Sequence, residues 1–175
     1  MSIEYISLGG DCATAYHLSQ HGLRTQSYPF DWITTPLLTP CIKENFSRFM
    51  EGWTIKKTVV VPCIVEDWQD TEQTMYRMTN AYGFTFLHDI GIDTDINDVK
   101  EKYQRRIDRF QCMMMNPDIT KHVFRMYSRH DPLEDLFQHV GYKNTVLHSI
   151  PMLTGSSWKK ENHDWKTWFS IKSMN

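Results

Sequence analysis

The sequence predicts an α/β fold, with a mixed sheet and flanking helices in one layered domain over residues 1–175. β-Rich and helical segments alternate through the second half of the chain, a pattern typical of helices packed on a sheet. A hairpin pattern near the middle adds antiparallel strands to that sheet. The hydrophobic content of 41% and the length of 175 residues are those of a globular domain with one core.

The first predicted elements are a strand, a glycine turn and a short helix. Residues 4–8 (EYISL) have the apolar character of a buried strand and are followed by two glycines. The predicted helix covers residues 12–20 and stops at Gly22, because glycine readily takes the left-handed conformation that ends helices. Asp11 is placed to cap this helix, since its carboxylate can accept bonds from the backbone N–H groups of the first turn.

An aromatic loop, a helix and a β-rich region come next. The loop covers residues 27–36 (SYPFDWITTP), with a proline near each end. Apolar residues at helical spacing predict a helix within residues 37–53. Pro62 interrupts a β-branched segment, which predicts an edge strand or two short strands. Residues 75–90 predict a hairpin with NAYG as its turn.

The clearest helix in the sequence covers residues 96–115. Its apolar positions recur at the spacing of one buried helix face and are Val99, Tyr103, Ile107 and Phe110. Strands and helices then alternate to the end of the sequence. They are a strand at 122–128, a helix at 132–141, a strand at 144–152 and a final helical turn within 164–172.

Charge and composition exclude several classes of protein. Nineteen Lys and Arg against 21 Asp and Glu give a net charge of −2, so we expect no nucleic-acid binding. No apolar run reaches the roughly 18 residues of a membrane span, and no signal-peptide pattern is present. The four cysteines show neither a metal-binding spacing nor a disulfide framework. We therefore expect a cytoplasmic protein with free thiols and without a metal or cofactor.

Cys12 is the first candidate for chemistry, because it opens the predicted helix directly after the glycine turn. The positive end of the helix dipole and the unpaired N–H groups there favour a thiolate. The amides of Gly10, Asp11 or Cys12 could also bind an oxyanion. Two observations favour a structural cysteine instead. Cysteine is commonly buried and such strand–glycine–helix turns are ordinary in α/β proteins, and the Asp11 carboxylate opposes ionisation of its neighbour.

His88 is the candidate base for such a cysteine. It lies at the end of a predicted strand, where a side chain can reach the edge of the sheet, and Asp89 follows it at once. An imidazole accepts the thiol proton when a carboxylate orients its other nitrogen. Adjacent strand residues point to opposite faces, so Asp31 or Asp164 is an alternative third member. A strand-end histidine bonded to a turn is the structural alternative.

Four segments, taken in order, resemble a known family. They are SLGGDCATAYHLSQHGLR…SYPFDWI, YGFTFLHDI, YQRRIDRF and VFRMYSR. The family is one of unknown function, described as putative papain-like cysteine peptidases, and it occurs in bacteria and some large DNA viruses. The resemblance covers about residues 6–125. It implies Cys12 as nucleophile, His88 as its histidine, amide substrates including peptides, and an α+β papain-like fold as the alternative architecture. Papain-like enzymes usually carry an upstream glutamine for the oxyanion hole, and none precedes Cys12 here.

Further residues are candidates for substrate contact. Arg105 and Arg109 are four apart on one face of the long predicted helix and could clamp a carboxylate or phosphate. Salt bridges to Glu101 or Asp108 on the same helix, or a buried contact with Asp31, are structural alternatives that we favour. Asp31 and Trp32 in SYPFDW could line a pocket near the nucleophile, although aromatic residues of such a loop more often bury themselves in the core.

Three hypotheses of function follow from these residues. The first is a thiol hydrolase or acyltransferase that acts on a peptide or small-molecule amide or ester through Cys12, His88 and Asp89. The second is an esterase of the Gly-Asp-Ser type with cysteine in place of serine. It is disfavoured because no histidine has an aspartate three residues before it. The third is a binding domain for a nucleotide or sugar phosphate at the Gly9-Gly10-Asp11-Cys12 helix start. No oligomeric state is predicted.

Overall fold

The computed structural model describes residues 2–60, 73–91, 93–127, 131–151, 159–160 and 163–170. Strands and helices follow one another along these residues. In chain order they are β1 (Ser2–Ser7), α1 (Ala13–Gln20), β2 (Ile33–Thr34), α2 (Thr39–Lys43), β3 (Thr54–Val60), β4 (Gln73–Thr79), β5 (Thr85–Phe86), α3 (Ile96–Met115), β6 (Ile119–Tyr127), α4 (Leu133–His139), β7 (Thr145–Pro151) and α5 (Trp165–Ser170).

The strands form two sheets, one parallel and one antiparallel. The parallel sheet has the order β1-β6-β7, and the antiparallel sheet has the order β2-β5-β4-β3. Helix α4 connects β6 to β7, as a crossover between parallel strands requires, whereas the hairpin region supplies antiparallel pairs. The predicted α/β class with both kinds of pairing is confirmed. The two kinds lie in separate sheets.

The parallel sheet is buried on both faces. Its register aligns Ile6, Val123 and Leu147 on one face, which packs into the larger hydrophobic core. The opposite face carries Phe124, and helices α1 and α5 pack against it. Strand β1 and helix α1 are thus successive layers at one side of the molecule. The chain between them has to turn at the carboxyl edge of the sheet, where open α/β sheets commonly hold ligands.

Helix α3 runs along the larger core with the bounds that its periodicity predicts. Its four predicted core residues are all buried, and Met114 extends the same stripe. The Asp95 carboxylate accepts a bond from the Asn97 amide at 2.7 Å and caps the helix. Aromatic rings fill much of the core beneath α3, chiefly Phe30, Phe46, Phe49, Phe84, Phe86 and Phe110.

The structure differs from the prediction in residues 37–53. Instead of one helix, only Thr39–Lys43 is helical, and turns follow it. Asn45 and Phe46 take left-handed backbone conformations, with φ of 51° and 63°. The Phe46 and Phe49 rings both pack into the aromatic core, so tertiary packing here outweighs the helical spacing of the sequence.

Two strands of the antiparallel sheet complete the comparison with the prediction. Strand β2 lies in the segment predicted as an aromatic loop and pairs with β5. Strand β3 is at the edge of its sheet, as predicted for that segment, and Pro62 lies outside the described residues. Among the helices of the described ranges, none has the length and apolar character needed to cross a membrane.

Candidate active site

The loop between β1 and α1 depends on two glycines and one threonine. Gly9 and Gly10 have φ of 70° and 99°, a region that favours glycine. A Cβ built on Gly10 would overlap the backbone carbonyl of Met126, so the Gly10 loop and the end of strand β6 approach each other closely. The Gly10 amide donates to Thr35 Oγ1 at 3.0 Å, and the Met126 amide donates to the Gly9 carbonyl at 3.2 Å. These contacts hold the start of α1 against the end of β6.

Cys12 and His88 meet at this position. The Cys12 Sγ atom lies 3.3 Å from His88 Nε2, within hydrogen-bonding distance for sulfur. Cys12 precedes the first residue of α1, and His88 follows strand β5 of the antiparallel sheet. Each sheet therefore contributes one member of the pair. Sequence analysis named these two residues as nucleophile and base, and the structure brings them together.

Desolvation controls the ionisation of both side chains, although Cys12 is buried and His88 keeps part of its surface exposed to solvent. Cys12 is only 8% exposed, and burial together with the Asp11 charge raises the pKa of its thiol to about 12. Burial also lowers the pKa of His88 below 6.5, against the opposing charge of Asp89. At neutral pH the resting pair is thus a neutral thiol beside a neutral imidazole. The thiolate expected from the helix dipole is not the resting form, because desolvation is the larger effect.

Asp11 caps helix α1, as predicted. Its Oδ1 accepts a bond from the Ala13 amide at 2.8 Å. Burial raises the pKa of Asp11, although the Ala13 bond and the Lys160 charge oppose that shift. The predicted oxyanion donors differ in whether their amides already donate a hydrogen bond. The Gly10 amide is bonded to Thr35, whereas no described residue accepts a bond from the amides of Asp11 and Cys12.

Asp89 is bound by helix α3. Lys102 Nζ donates to its Oδ1, and the Tyr103 hydroxyl donates to its Oδ2. Burial alone would raise the pKa of Asp89. The bonds from Lys102 and Tyr103 and the charges of Lys102 and Arg106 outweigh burial and leave the pKa below 3.8. Asp89 thus stays ionised, anchored to α3, and acts on His88 as a nearby negative charge.

Asp31 and Trp32 form the other side of the site. The buried Asp31 carboxylate accepts bonds from Arg24 Nη2 at 2.8 Å and from the Tyr28 amide at 2.9 Å. Its partner is therefore Arg24 of the preceding loop and not an arginine of α3. Burial raises the pKa of Asp31, and the Arg24 charge opposes that shift. The Trp32 ring meets the His88 ring in an edge-to-face contact, with centroids 5.7 Å apart.

Arg105 and Arg109, predicted to clamp a substrate anion, have separate partners within the protein. Arg105 is exposed and lies 3.9 Å from Glu101 in a surface ion pair, as the structural alternative predicts. Arg109 Nη1 donates to the Ser27 carbonyl and so ties α3 to the aromatic loop. Arg106 lies between them along α3, and its guanidinium carbon is 5.1 Å from the centre of the Tyr103 ring. Its charge acts on both Asp31 and Asp89.

Sequence reasoning missed several supporting residues. Lys102, Tyr103 and Arg106 are one, three and four positions apart on α3, a spacing that places them around one region of the helix surface. These donors on one region of α3, together with the Asp89 carboxylate after His88, were the signal in the sequence that could have found them. Arg24 and Thr35 carried no signal, because both act through a loop whose path only the folded chain defines. Asp164, the other alternative acid, accepts a bond from the Thr167 amide at the start of α5.

A separate cavity of about 200 Å³ lies between α4 and the parallel sheet. Its lining includes Arg125, Leu147 and Ser149 and does not include Cys12 or His88. Arg125 is buried and donates to the Leu8 carbonyl at 3.0 Å and to the carbonyl and hydroxyl of Thr35. It therefore holds the same threonine that binds the Gly10 amide. Within the described ranges, no group of three or more His, Cys, Asp and Glu side chains could hold a metal ion.

Comparison with known families identifies the family of this chain. A family model described as "Putative papain-like cysteine peptidase (DUF1796)" matches residues 3–149. The chain belongs to this family. The match covers the β1–α1 loop, the His88 segment, α3 and the parallel sheet, and it confirms the resemblance noted in the sequence. Membership supports a peptidase-like activity in coarse terms.

One curated relative is the "Uncharacterized protein R408" of Acanthamoeba polyphaga mimivirus. It is 35% identical over 120 residues, which is 61% of this chain and 54% of the relative. The chain thus spans about half the length of that relative. No solved structure matches the chain.

Proposed function

We propose that this chain is a cysteine-dependent hydrolase or acyltransferase that acts on amide or ester bonds, peptides included. The observation that carries the proposal is the 3.3 Å approach of Cys12 Sγ to His88 Nε2 at the start of α1. A thiol and an imidazole at hydrogen-bonding distance are the minimum for thiol catalysis. The family description points to the same chemistry.

The first step follows from the neutral state of the pair. Cys12 Sγ attacks the substrate carbonyl carbon while its proton moves to His88 Nε2, so a C–S bond forms and the carbonyl π electrons move to oxygen. His88 accepts the proton at Nε2 only as the tautomer with hydrogen on Nδ1. Burial lowers the pKa of His88, and the Asp89 charge opposes that shift, so Asp89 stabilises the resulting imidazolium.

The oxyanion and the leaving group need donors of their own. In this proposal the amides of Asp11 and Cys12 bind the oxyanion, in place of the glutamine of papain-like enzymes. The tetrahedral intermediate collapses when the C–N or C–O bond breaks and the leaving group takes the proton from His88. Water, or an acceptor amine, then loses a proton to His88 and attacks the thioester, which frees the Cys12 thiol.

The same geometry weakens the anion-binding alternative. That hypothesis requires an open pocket at the helix start that faces Arg105 and Arg109. The described contacts of Arg105 run to Glu101 and those of Arg109 run to Ser27. A substrate contact for these two arginines therefore stays a prediction. Of the other residues predicted to contact substrate, Trp32 lies against His88 and Asp11 directly precedes Cys12.

The test is the alkylation rate of Cys12 by iodoacetamide as a function of pH, located by peptide mass mapping. We expect the rate to rise with pH through a midpoint below 6.5 and then level off, because neutral His88 must accept the thiol proton and burial lowers its pKa. The His88→Ala variant should lose about tenfold or more of the rate at pH 7.

Two controls accompany this measurement. His139→Ala, on the exposed end of α4, should leave the rate unchanged, and the alkylation of the exposed Cys112 is followed in every sample as an internal comparison. The proposal fails if Cys12 follows the Cys112 profile in the wild type, or if His88→Ala and His139→Ala react alike.

A further inference from the structure

Trp32 has a backbone conformation that a tryptophan rarely adopts. Its φ is 62°, in the left-handed region that favours glycine. Residues held in such conformations cluster at functional sites, where the surrounding structure keeps them in place. The side chain of Trp32 is half-buried, while its neighbours Phe30 and Ile33 are fully buried in the core. The backbone turn thus directs the indole away from the core.

The conformation of Trp32 is enforced by the residues around Asp31. The Asp31 amide donates to the Tyr28 carbonyl at 3.3 Å, and the Tyr28 amide donates back to the Asp31 carboxylate. Arg24 binds that carboxylate through two nitrogens, and its guanidinium carbon lies 6.0 Å from the centre of the Trp32 ring. The turn is therefore closed by its own hydrogen bonds, and Arg24 contacts both the turn and the ring.

The indole that this turn presents lies against the base of the proposed reaction. The Trp32 and His88 rings meet at an interplanar angle of 69°. His88 is exposed, in contrast to the buried Cys12, and an exposed histidine populates several rotamers unless a neighbour restricts it. If His88 samples several rotamers, its Nε2 atom faces the Cys12 thiol for a smaller fraction of the time.

We propose that Trp32 is a positioning residue that holds the His88 imidazole in the rotamer aimed at Cys12 Sγ. The inference rests on the proposed function, because it takes His88 as the base. It gives the strained conformation of Trp32 a role, and it separates Trp32 from substrate recognition. The Asp31–Arg24 ion pair acts one step further away, by holding the turn that carries Trp32.

The chain offers a sharp pair of variants at this position. Trp32→Gly removes the ring and fits the left-handed backbone, so the loss is limited to the contacts of the ring with His88 and Arg24. Trp32→Phe keeps an aromatic ring at the same place. Iodoacetamide is small and uses no substrate pocket, so its reaction with Cys12 reports on His88 and not on substrate binding. Trp168→Ala is the matched control, since it removes an indole from a different histidine, His163.

We expect iodoacetamide to alkylate Cys12 at pH 7 about three to ten times more slowly in Trp32→Gly than in the wild type. Trp32→Phe should recover most of that rate, and Trp168→Ala should leave it unchanged. NMR couplings and ¹⁵N shifts of His88 should show averaged χ1 rotamers in Trp32→Gly and one dominant rotamer in the wild type and Trp32→Phe. Thermal unfolding of each variant identifies any loss that comes from stability.

Each contrary result is informative. Wild-type rates and His88 rotamers in Trp32→Gly overturn the positioning role, as does a loss of rate that only follows the loss of fold. If His88→Ala leaves Cys12 reactivity intact, the proposed function fails. The rotamer measurement then still decides whether Trp32 orders the imidazole.

Discussion

The Cys12 thiol lies between one base and one acid. His88 can accept its proton, whereas Asp11 opposes its ionisation by charge and also caps the helix that begins after Cys12. These two effects of Asp11 can be separated, because asparagine caps helices as well as aspartate but carries no charge. The neutral resting thiol then follows from burial and from Asp11 together, and the Asp11 share can be measured.

We predict that Asp11→Asn lowers the pKa of Cys12 below its value of about 12. In a His88→Ala background, where alkylation depends on the free thiolate, the rate at pH 9 should rise by about threefold or more. Asp98→Asn in the first turn of α3 removes the same charge from another helix start and should have no effect. An unchanged rate in Asp11→Asn would show that burial alone sets the thiol pKa.

At the scale of elements, the turn from β1 into α1 is the tightest junction of the site. Gly10 combines a left-handed φ with a close approach to the Met126 carbonyl, so a side chain there meets both strain and overlap. Gly22 has a similar φ of 67° after α1, but a Cβ there would meet nothing within 4 Å. The two glycines therefore separate the cost of overlap from the cost of backbone strain.

We predict that Gly10→Ala lowers the free energy of unfolding by more than about 3 kcal/mol, because backbone atoms of β6 must move. Gly22→Ala should cost only about 1–2 kcal/mol, the strain of a left-handed alanine. Urea denaturation followed by circular dichroism measures both. Equal losses in the two variants would mean that β6 and the Gly10 loop are not packed as closely as described.

At the scale of the whole molecule, the candidate site exists because the two sheets are held in one arrangement. Cys12 follows a strand of the parallel sheet, and His88 follows a strand of the antiparallel sheet. Helix α3 holds the segment that carries His88, because Lys102 and Tyr103 both bind the neighbouring Asp89. The Asp89 anchor thus supports stability and the position of His88 at once.

We predict that Asp89→Asn lowers the free energy of unfolding by about 1–3 kcal/mol at pH 7, because charged hydrogen bonds to α3 are lost. The folded-state pKa of Asp89 is below 3.8, so its ionised form stabilises the fold above pH 3.8. This contribution is lost as the pH falls through the folded-state pKa, and the wild type and variant should converge there. Urea unfolding at several pH values measures this. A difference in free energy of unfolding that does not change with pH would contradict the ionic anchor. Asp108→Asn, on the exposed face of α3, is the control that removes the same charge elsewhere on the helix.

Much of this architecture could be predicted from the sequence. The apolar period of residues 96–115 gave the bounds of α3, because a long amphipathic stripe depends little on its surroundings. Cys12 and His88 were identified by residue chemistry and by the family resemblance. The segment around Phe46 was predicted wrongly as helix, since burial of two phenylalanines in a distant aromatic core changed its backbone path.

The sequence by itself determined the α/β class, the long helix, the capped helix start at Cys12 and the residue types of the candidate pair, because each depends on local pattern. Only the tertiary structure decided that Cys12 and His88, 76 residues apart, lie 3.3 Å from each other. It also decided that Asp89 binds α3 and that Asp31 binds Arg24. The thiol is neutral for the same reason: desolvation is a property of the packed fold, which no local spacing contains.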